Sequence, residues 1–369
     1  MKIGVLTSSR ADFGVYLPLL KAIQQDNFFS LEIIAFGTHL SRFYGYSLTE
    51  IENEKFKTIH TLPTMLLTDD AESISTAHSL TGLKFAEFWN SHKYDLVFCL
   101  GDRYEMHAAV IAGIPYGIKF AHIAGGETTL GAIDNMYRHQ ITIVAYLHFT
   151  AAKEYADKVK QLRGSSDNVY NIGSLSLDNI NNLALKPEKV FRDEFNIPEG
   201  DFALVTFHPA TISPERNRQY AYEIESALSQ ISAFLNLVIT MPNADTSGTL
   251  FRDTFLKIRS ELPDQFVLVE NMGKVNYFSA MKYSKILIGN SSSGIVEAAS
   301  FNKFVVNVGD RQKGRIQSDN IINCGFTSPE IIHAVTKASG KGKYTGRNIY
   351  SRKDVAKKII SILKDKKNA

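Results

Sequence analysis

The fold class of this chain is indicated most clearly by residues 285–297, which read KILIGNSSSGIVE. The apolar run at 285–288 is typical of a parallel strand that is covered on both faces. Gly289 and the small polar residues after it predict a tight loop, and the residues from Gly294 onward predict the start of a helix. A strand that passes through a short polar loop into a helix is the repeating unit of a doubly wound α/β sheet.

The same unit recurs along the 369 residues. Apolar runs predict strands at 2–7, 31–36, 96–100, 120–123, 147–150 and 169–172, and then at 202–207, 235–241, 266–269, 285–288 and 304–308. The pattern is interrupted around 175–200, and the length fits two domains. We therefore expect two Rossmann-like, doubly wound α/β domains facing a cleft, residues 1–175 and 176–350, and a C-terminal helix in residues 351–369.

Composition and charge exclude several classes of protein. The 41 Lys and Arg residues nearly balance the 38 Asp and Glu residues, and a net charge of +3 is not the strongly basic footprint of a nucleic-acid binder. Two cysteines cannot build a disulfide framework, and no Cys/His set has the spacing of a metal site. No window approaches the roughly 18 apolar residues of a membrane span, and the apolar stretch near the N-terminus is too short for a signal peptide. We expect a cytoplasmic protein with no nucleic-acid partner, no membrane partner and no metal.

The residues that directly follow the predicted strands are the candidates for a site, because open parallel sheets bind ligands outside the carboxyl ends of their strands. In the first half these are Arg10, which could bind a phosphate, and Asp102 with Arg103, an acid and a base side by side. Simpler roles also fit: Arg10 in a helix-capping loop, Asp102 as a helix N-cap, and Arg103 as a solvated side chain.

Glu127 ends a third segment of this kind, Gly125-Gly126-Glu127. Two glycines after a strand allow the backbone to approach a ligand closely, and Glu127 would then project into the crevice. Asp134 and Arg138 lie four residues apart on the next predicted helix, a spacing that also suits a surface ion pair.

His208 and the serine-rich loop are the candidates in the second half. His208 ends a predicted strand and precedes a proline, which suits a general base, and a hydrogen-bonded core histidine fits as well. Ser291 and Ser292 would cradle a phosphate or diphosphate, and Glu297 could accept a hydrogen bond from a ribose hydroxyl. Arg311 belongs to a loop with two further cations, which could otherwise be a solvated basic loop.

Two common nucleotide motifs are missing from these segments. The first strand is not followed by the spacing of GxGxxG, and residues 288–297 lack the Gly-Lys-Ser/Thr of a P-loop. Neither a dinucleotide site nor a Mg²⁺-ATP site is therefore implied. Polar strand ends in two α/β halves, one of them with a diphosphate cradle, suggest an enzyme that acts on a nucleotide-sugar.

Eight short motifs occur in a recognisable order. They are Arg10-Ala11-Asp12, Gly37-Thr38-His39, Gly101-Asp102-Arg103, Gly125-Gly126-Glu127, Arg138-His139, His208-Pro209, Gly289-Asn290-Ser291-Ser292-Ser293-Gly294 and Gly309-Asp310-Arg311-Gln312. Together they resemble the hydrolysing UDP-N-acetylglucosamine 2-epimerases of bacterial sialic and legionaminic acid biosynthesis, over residues 1–315. The resemblance implies a glycosyltransferase-B type fold, a final helix packed on the N-terminal domain, a homodimer, a UDP-sugar substrate, UDP as product and no cofactor.

The resemblance also implies roles for individual residues. Ser291 and Ser292 would bind the diphosphate, Glu297 the ribose and Tyr277 the uracil, and Arg10 would reach the diphosphate from the first domain. Arg103, Asn243 and Arg311 match positions that contact the nucleotide-sugar, Asp102, Glu127, Asp134 and His208 match the acid/base groups, and His39 and Arg138 are further possible site residues. The chain departs from many family members at Ala124, where they have a carboxylate.

The expected reaction converts UDP-N-acetylglucosamine to N-acetylmannosamine and UDP, by anti elimination to 2-acetamidoglucal and then hydration. Three enzymatic alternatives remain open. They are the same reaction on UDP-2,4-diacetamido-2,4,6-trideoxyglucose, a non-hydrolysing 2-epimerase, and a UDP-sugar glycosyltransferase. A non-catalytic nucleotide-sugar sensor would leave Asp102, Glu127 and His208 unexplained.

Overall fold

The computed structural model describes residues 1–66, 68, 70–178, 180, 183–242, 248–270 and 272–368. The chain divides into two compact units. Unit 1 comprises Met1–Thr128, Ile133–Asn181 and Tyr350–Ala369, and unit 2 comprises Thr129–Ala132 and Asn182–Ile349. The chain therefore enters unit 2 for four residues, 129–132, before it returns to unit 1.

Unit 1 contains a seven-stranded parallel sheet with the order β3-β2-β1-β4-β5-β6-β7. Its strands are β1 (Lys2–Thr7), β2 (Ser30–Phe36), β3 (Ile59–Leu62), β4 (Leu96–Leu100), β5 (Phe120–Ile123), β6 (Leu147–Thr150) and β7 (Val169–Asn171). Its helices are α1 (Arg10–Gln24), α2 (Leu48–Asn53), α3 (Ala71–Ser91), α4 (Tyr104–Gly113), α5 (Asp134–Val144), α6 (Lys153–Arg163) and α13 (Val355–Asn368).

Side chains of the central strand β1 alternate between two cores, as the two-residue period of a strand requires. Ile3 and Val5 belong to the core that α1 and α13 cover, whereas Leu6 belongs to the core beneath α3 and α4. The last helix, α13, is part of unit 1: both carboxylate oxygens of Asp178 accept hydrogen bonds from the first two N–H groups of α13, each at 2.9 Å.

Unit 2 contains a six-stranded parallel sheet with the order β10-β9-β8-β11-β12-β13. Its strands are β8 (Phe202–Thr206), β9 (Asn236–Thr240), β10 (Phe266–Val269), β11 (Ile286–Gly289), β12 (Val305–Val308) and β13 (Ile321–Cys324). Its helices are α7 (Glu188–Phe195), α8 (Asn217–Ile231), α9 (Gly248–Glu261), α10 (Gly273–Tyr283), α11 (Ser292–Val296) and α12 (Ser328–Ser339). Both units have the predicted Rossmann-like, doubly wound architecture, which the structure confirms.

Two strands, β3 and β13, were not predicted from the sequence. Both lie at a sheet edge, and neither has the continuous buried apolar run of the central strands, since β3 has one buried residue and β13 has none. An edge strand is only half covered, so its sequence need not be apolar throughout.

The strand order reverses direction at one place in each sheet, between β1 and β4 in unit 1 and between β8 and β11 in unit 2. Loops that leave the carboxyl ends of strands at such a switch point diverge and leave a crevice for a ligand. These loops carry residues 8–10 and 101–103 in unit 1, and residues 207–210 and 290–293 in unit 2. Among the described helices, none is both long and apolar enough to cross a membrane.

Candidate functional site

The loop after β1 is a tightly capped helix start. Asp12 accepts hydrogen bonds from the Ser8 N–H at 2.9 Å and the Ser8 hydroxyl at 2.7 Å, and it forms a capping box with Ser9. Burial raises the pKa of the Asp12 carboxyl, against the opposing effects of Arg103 and the two serines. Arg10 is the first residue of α1 and is half-buried, and it directly follows the N-cap Ser9.

Arg103 forms a bidentate ion pair with a buried carboxylate. Its Nε and one terminal nitrogen donate to the two oxygens of Glu105, at 3.2 and 3.0 Å. Burial raises the pKa of Glu105, although Arg103 opposes the rise. The interpretation of Arg103 as a solvated side chain is therefore wrong, and the N-cap of α4 is Arg103 rather than Asp102. The sequence predicts Glu105, the second residue of α4, as a solvated side chain, since an acid in the first turn of a helix is usually on the surface; the structure shows that it is buried.

Arg138 joins two of the three predicted acid/base carboxylates of unit 1, Asp102 and Glu127. One terminal nitrogen donates to Asp102 Oδ2, and the other donates to the Ala124 carbonyl at 2.8 Å and lies 3.6 Å from Glu127 Oε2. The Arg138 side chain is only 2% exposed, so it is not one half of a surface pair. Asp102 and Glu127, 25 residues apart in the sequence, thus share one buried guanidinium. Asp134, the first residue of α5, is half-buried.

The Gly-Gly segment before Glu127 serves packing within unit 1. A Cβ on Gly126 would lie 2.3 Å from the Tyr155 carbonyl oxygen of α6, and Gly126 has a φ of +76°. The close approach that Gly126 allows within this unit is therefore to helix α6. Ala124 has a φ of +64°, an uncommon conformation for a residue with a side chain, and its carbonyl is one of the acceptors of Arg138.

Two buried histidines near these loops have lowered pKa values. His39 lies with Nε2 2.8 Å from the Thr7 hydroxyl and Nδ1 2.8 Å from the Ser47 hydroxyl, and burial lowers its pKa to about 4. His122 donates from Nε2 to the Gly101 carbonyl at 2.9 Å, and burial lowers its pKa to about 3. His122 thereby supports the turn that carries Asp102; it was not a sequence candidate, because strand histidines are commonly core residues.

The serine-rich loop of unit 2 forms a cluster of hydroxyl groups. Ser291 is the N-cap of α11, and its hydroxyl lies 3.1 Å from that of Ser293. The Tyr277 hydroxyl hydrogen-bonds to Ser293, which brings the predicted uracil residue to the same loop. Burial raises the pKa of Tyr277, and its hydrogen bonds to serine and threonine hydroxyls oppose the rise. Ser292 is exposed, and Glu297 directly follows α11 and is half-buried.

The loop after β12 lies against the serine-rich loop. Gln312 donates to the Asn290 carbonyl at 2.8 Å, and a terminal nitrogen of Arg311 lies 3.5 Å from the same oxygen. Lys313 is exposed and lies 3.8 Å from Asp310, so the solvated-loop interpretation holds for Lys313 and not for Arg311. Burial of His208, at the end of β8, leaves it 6% exposed.

Two further points concern the predicted site. Asn243 lies outside the described residues, so the structure says nothing of its role. Across the described ranges, no group of three or more His, Cys, Asp or Glu side chains is arranged to hold a metal ion.

Comparison with known proteins identifies similar sequences. A profile of the family "UDP-N-acetylglucosamine 2-epimerase" matches residues 21–364. The chain is 36% identical to the GDP/UDP-N,N'-diacetylbacillosamine 2-epimerase (hydrolyzing) of Campylobacter jejuni, over 87% of this chain and 84% of that protein. It is 32% identical to the UDP-N,N'-diacetylbacillosamine 2-epimerase (hydrolyzing) of Legionella pneumophila, over 98% of this chain and 95% of that protein. It is 30% identical to the polysialic acid biosynthesis protein P7 of Escherichia coli, over 99% of this chain and 94% of that protein.

Solved structures extend the likeness at the level of the fold. The UDP-GlcNAc 2-epimerase of Neisseria meningitidis, solved with UDP-GlcNAc, has a TM-score of 0.80 at 18% identity, over 99% of this chain and 100% of that one. The Methanocaldococcus jannaschii UDP-GlcNAc 2-epimerase, solved with UDP-GlcNAc and UDP, has a TM-score of 0.83 at 14% identity, over 99% of each chain. At such identities the likeness concerns the fold alone, and it confirms the glycosyltransferase-B type class.

Proposed function

This chain belongs to the UDP-N-acetylglucosamine 2-epimerase family, and from that membership we propose that it hydrolyses a UDP-linked 2-acetamido sugar with inversion at C-2. The observation that carries the proposal is the pair of carboxylates, Asp102 and Glu127, bound to the buried guanidinium of Arg138. The hydrolysing relatives at 36% and 32% identity support the release of a free sugar rather than of a UDP-sugar epimer.

The reaction has two balanced steps. A base removes the proton on C-2, the C–H electron pair forms the C-1=C-2 double bond, and UDP leaves C-1 with the electrons of the C–O bond. Water then adds its hydroxyl to C-1 of the 2-acetamidoglucal, and an acid delivers a proton to C-2 on the opposite face. Acid/base groups are needed on both faces of the sugar, and we assign these roles to Asp102, Glu127, Asp134 and His208.

Arg138 suits the carboxylate pair for physical reasons. Two carboxylates that share a poorly solvated site repel each other, and a guanidinium with two terminal nitrogens can neutralise part of that repulsion and orient both groups. The Ala124 carbonyl fixes the guanidinium in turn, at 2.8 Å. Arg138 is thus a positioning residue for both acid/base groups.

Unit 2 would bind the UDP moiety. The hydroxyls of Ser291 and Ser292 and the guanidinium of Arg311 would bind the diphosphate, Glu297 the ribose and Tyr277 the uracil. Arg10, Arg103 and Asn243 would contribute further contacts to the nucleotide-sugar. Cationic and hydroxyl donors that are already in place stabilise the charge that develops on UDP as it leaves.

Two sugars are candidates for the substrate. UDP-N-acetylglucosamine is the substrate expected from the motifs. UDP-N,N'-diacetylbacillosamine, which is the 2,4-diacetamido-2,4,6-trideoxy sugar, is supported by the names of the relatives at 36% and 32% identity. Both carry the 2-acetamido group and the C-2 proton that the mechanism requires.

The deciding experiment incubates the purified protein with each UDP-sugar and follows free sugar and UDP by NMR. We expect Asp102→Asn to lower the rate about 100-fold or more, since it removes a proton-transfer group. Asp157→Asn, which changes an exposed aspartate on α6 that pairs with lysines, is the matched control and should retain the wild-type rate.

Three results would contradict parts of the proposal. A UDP-linked epimer without free UDP would mean a non-hydrolysing enzyme, and turnover only with an added acceptor would mean a glycosyltransferase. Wild-type turnover by Asp102→Asn would remove the acid/base role of Asp102.

A further inference from the structure

Two asparagine side chains hold the backbone around His208. Asn290 accepts a hydrogen bond from the His208 N–H at 2.8 Å and donates one to the His208 carbonyl, also at 2.8 Å. Two residues later, Asn217 accepts from the Ala210 N–H at 2.8 Å and donates to the Ala210 carbonyl at 3.0 Å. Both asparagines are buried, with 2% and 1% of their surfaces exposed.

The two hydrogen bonds between the Asn290 side chain and the His208 backbone extend the sheet beyond the last backbone hydrogen bond between β8 and β11. Strands β8 and β11 pair as far as Thr206 and Gly289, and the Asn290 N–H still donates to the Thr206 carbonyl at 3.1 Å. The chain then turns away into α11, so its backbone can no longer reach the residues after β8. A carboxamide carries a donor and an acceptor in one plane, like a peptide group, and can therefore form the next rung.

The segment between the two pairs has little freedom left. Pro209 has no N–H and a fixed φ, so its own conformation is restricted. The N–H and carbonyl groups of His208 and Ala210 are all bound by the two asparagines. The backbone of residues 208–210 is therefore held from both sides, although it lies outside any strand or helix.

Asn290 also connects His208 to the predicted diphosphate loop. Its own carbonyl accepts from Gln312 at 2.8 Å, and Ser291 is the next residue along the chain. A shift of Asn290 would consequently move the histidine and the serine hydroxyls together. Asn217, the first residue of α8, hydrogen-bonds to the segment at Ala210.

We propose that Asn290 and Asn217 are positioning residues that fix His208 for proton transfer in the hydrolytic reaction. This inference rests on the proposed function of the site. Asn290 holds the backbone of His208 and Asn217 holds the backbone of Ala210, so the chain that carries the imidazole is fixed at His208 and two residues beyond it. Displacement of a catalytic group by about 1 Å can cost roughly 100-fold in rate, so loss of either pair should lower kcat.

The test compares Asn217→Ala and Asn290→Ala with a matched buried asparagine. Asn320 donates to the Lys303 carbonyl at 2.8 Å at the amino end of the same sheet and is fully buried, so Asn320→Ala removes a similar bond away from the site. Each variant is measured for kcat at saturating UDP-sugar, for Kd of UDP by calorimetry and for its melting temperature.

We expect kcat to fall about 10- to 100-fold in both site variants. In Asn217→Ala the Kd of UDP should stay within about twofold of wild type, because the hydrogen bonds of the Asn217 carboxamide go to the Ala210 backbone. In Asn290→Ala the Kd of UDP should also rise, because Asn290 directly precedes Ser291. Asn320→Ala should lower only the melting temperature. Asn217→Gln keeps a carboxamide with both a donor and an acceptor and should lose less activity, and it replaces Asn217→Ala in the comparison if that variant does not fold.

Two results separate this inference from the function on which it rests. If His208→Ala is inactive while Asn217→Ala and Asn290→Ala turn over like wild type, the positioning role is wrong and the function stands. If His208→Ala itself turns over like wild type, the acid/base role of His208 is wrong. A fall in kcat that matches the unfolded fraction of each variant would also overturn the positioning role.

Discussion

Acidification should destabilise unit 1 through His39, and the size of the effect follows from its surroundings. His39 is fully buried, with a hydroxyl at each ring nitrogen, and its pKa is lowered to about 4. In the unfolded chain the same imidazole takes up a proton near its usual pKa of about 6.5. Between these two pH values the unfolded state binds more protons than the folded state. The contribution of His39 to the free energy of unfolding is therefore fully present above about pH 6.5 and is lost as the pH falls from there towards about 4.

The free energy of unfolding should fall by about 2 kcal/mol between about pH 7 and about pH 5. Each pH unit below the unfolded-state pKa of about 6.5 costs about 1.4 kcal/mol, and pH 5 lies about 1.5 units below it. Lowered pKa values at His122 and His148 act in the same direction. Raised pKa values at Asp12 and Glu105 act in the opposite direction, because the folded state then takes up protons more readily. These four groups are present in both wild type and His39→Gln, so they cancel in the difference between the two.

The assay is urea unfolding of wild type and His39→Gln at several pH values, followed by tryptophan fluorescence. The chain has a single tryptophan, Trp89, which is fully buried in unit 1 and reports on that unit. Near pH 7.5, His39→Gln should be less stable than wild type, because it lacks the buried imidazole and its packing. Between pH 7.5 and pH 5, its free energy of unfolding should fall by about 2 kcal/mol less than that of wild type. Parallel pH dependences for the two proteins would refute the reasoning.

Four further variants have clear expected outcomes. Arg138→Met should lower the free energy of unfolding of unit 1 by about 3 kcal/mol in urea titrations, because a nearly buried carboxylate is left without its cation; unchanged stability would contradict the ion-pair geometry. Gly289→Ala should prevent normal folding, since the new Cβ would lie 1.8 Å from a carbonyl oxygen of β8, whereas Gly82→Ala meets nothing within 4 Å in α3 and should raise stability by about 1 kcal/mol in thermal melts. Ser291→Ala combined with Ser292→Ala should weaken UDP binding by about 2 kcal/mol, roughly 30-fold in Kd by calorimetry; an unchanged affinity would count against the diphosphate role.

The fold class could be predicted because it depends on patterns that are local in the chain. Strands that are covered on both faces are nearly continuously apolar, so runs such as 96–100 and 202–207 can be recognised as buried strands from the sequence. Their carboxyl ends identify the loops that carry Asp102, His208 and Ser291. The edge strands β3 and β13 escaped prediction because half-covered strands are under no such constraint.

Which polar groups meet was decided by the tertiary structure alone. Spacing in the sequence paired Arg138 with Asp134 four residues away, yet in the fold Arg138 binds Asp102, 36 residues away. Asn290 reaches His208 across 82 residues, and no local signal distinguishes it from a loop asparagine. Hydrogen bonds and ion pairs act over about 3 Å, and only the packed sheet brings such distant residues that close, so the sequence by itself determined the two sheets and the loops at their edges, and the fold determined the partners within those loops.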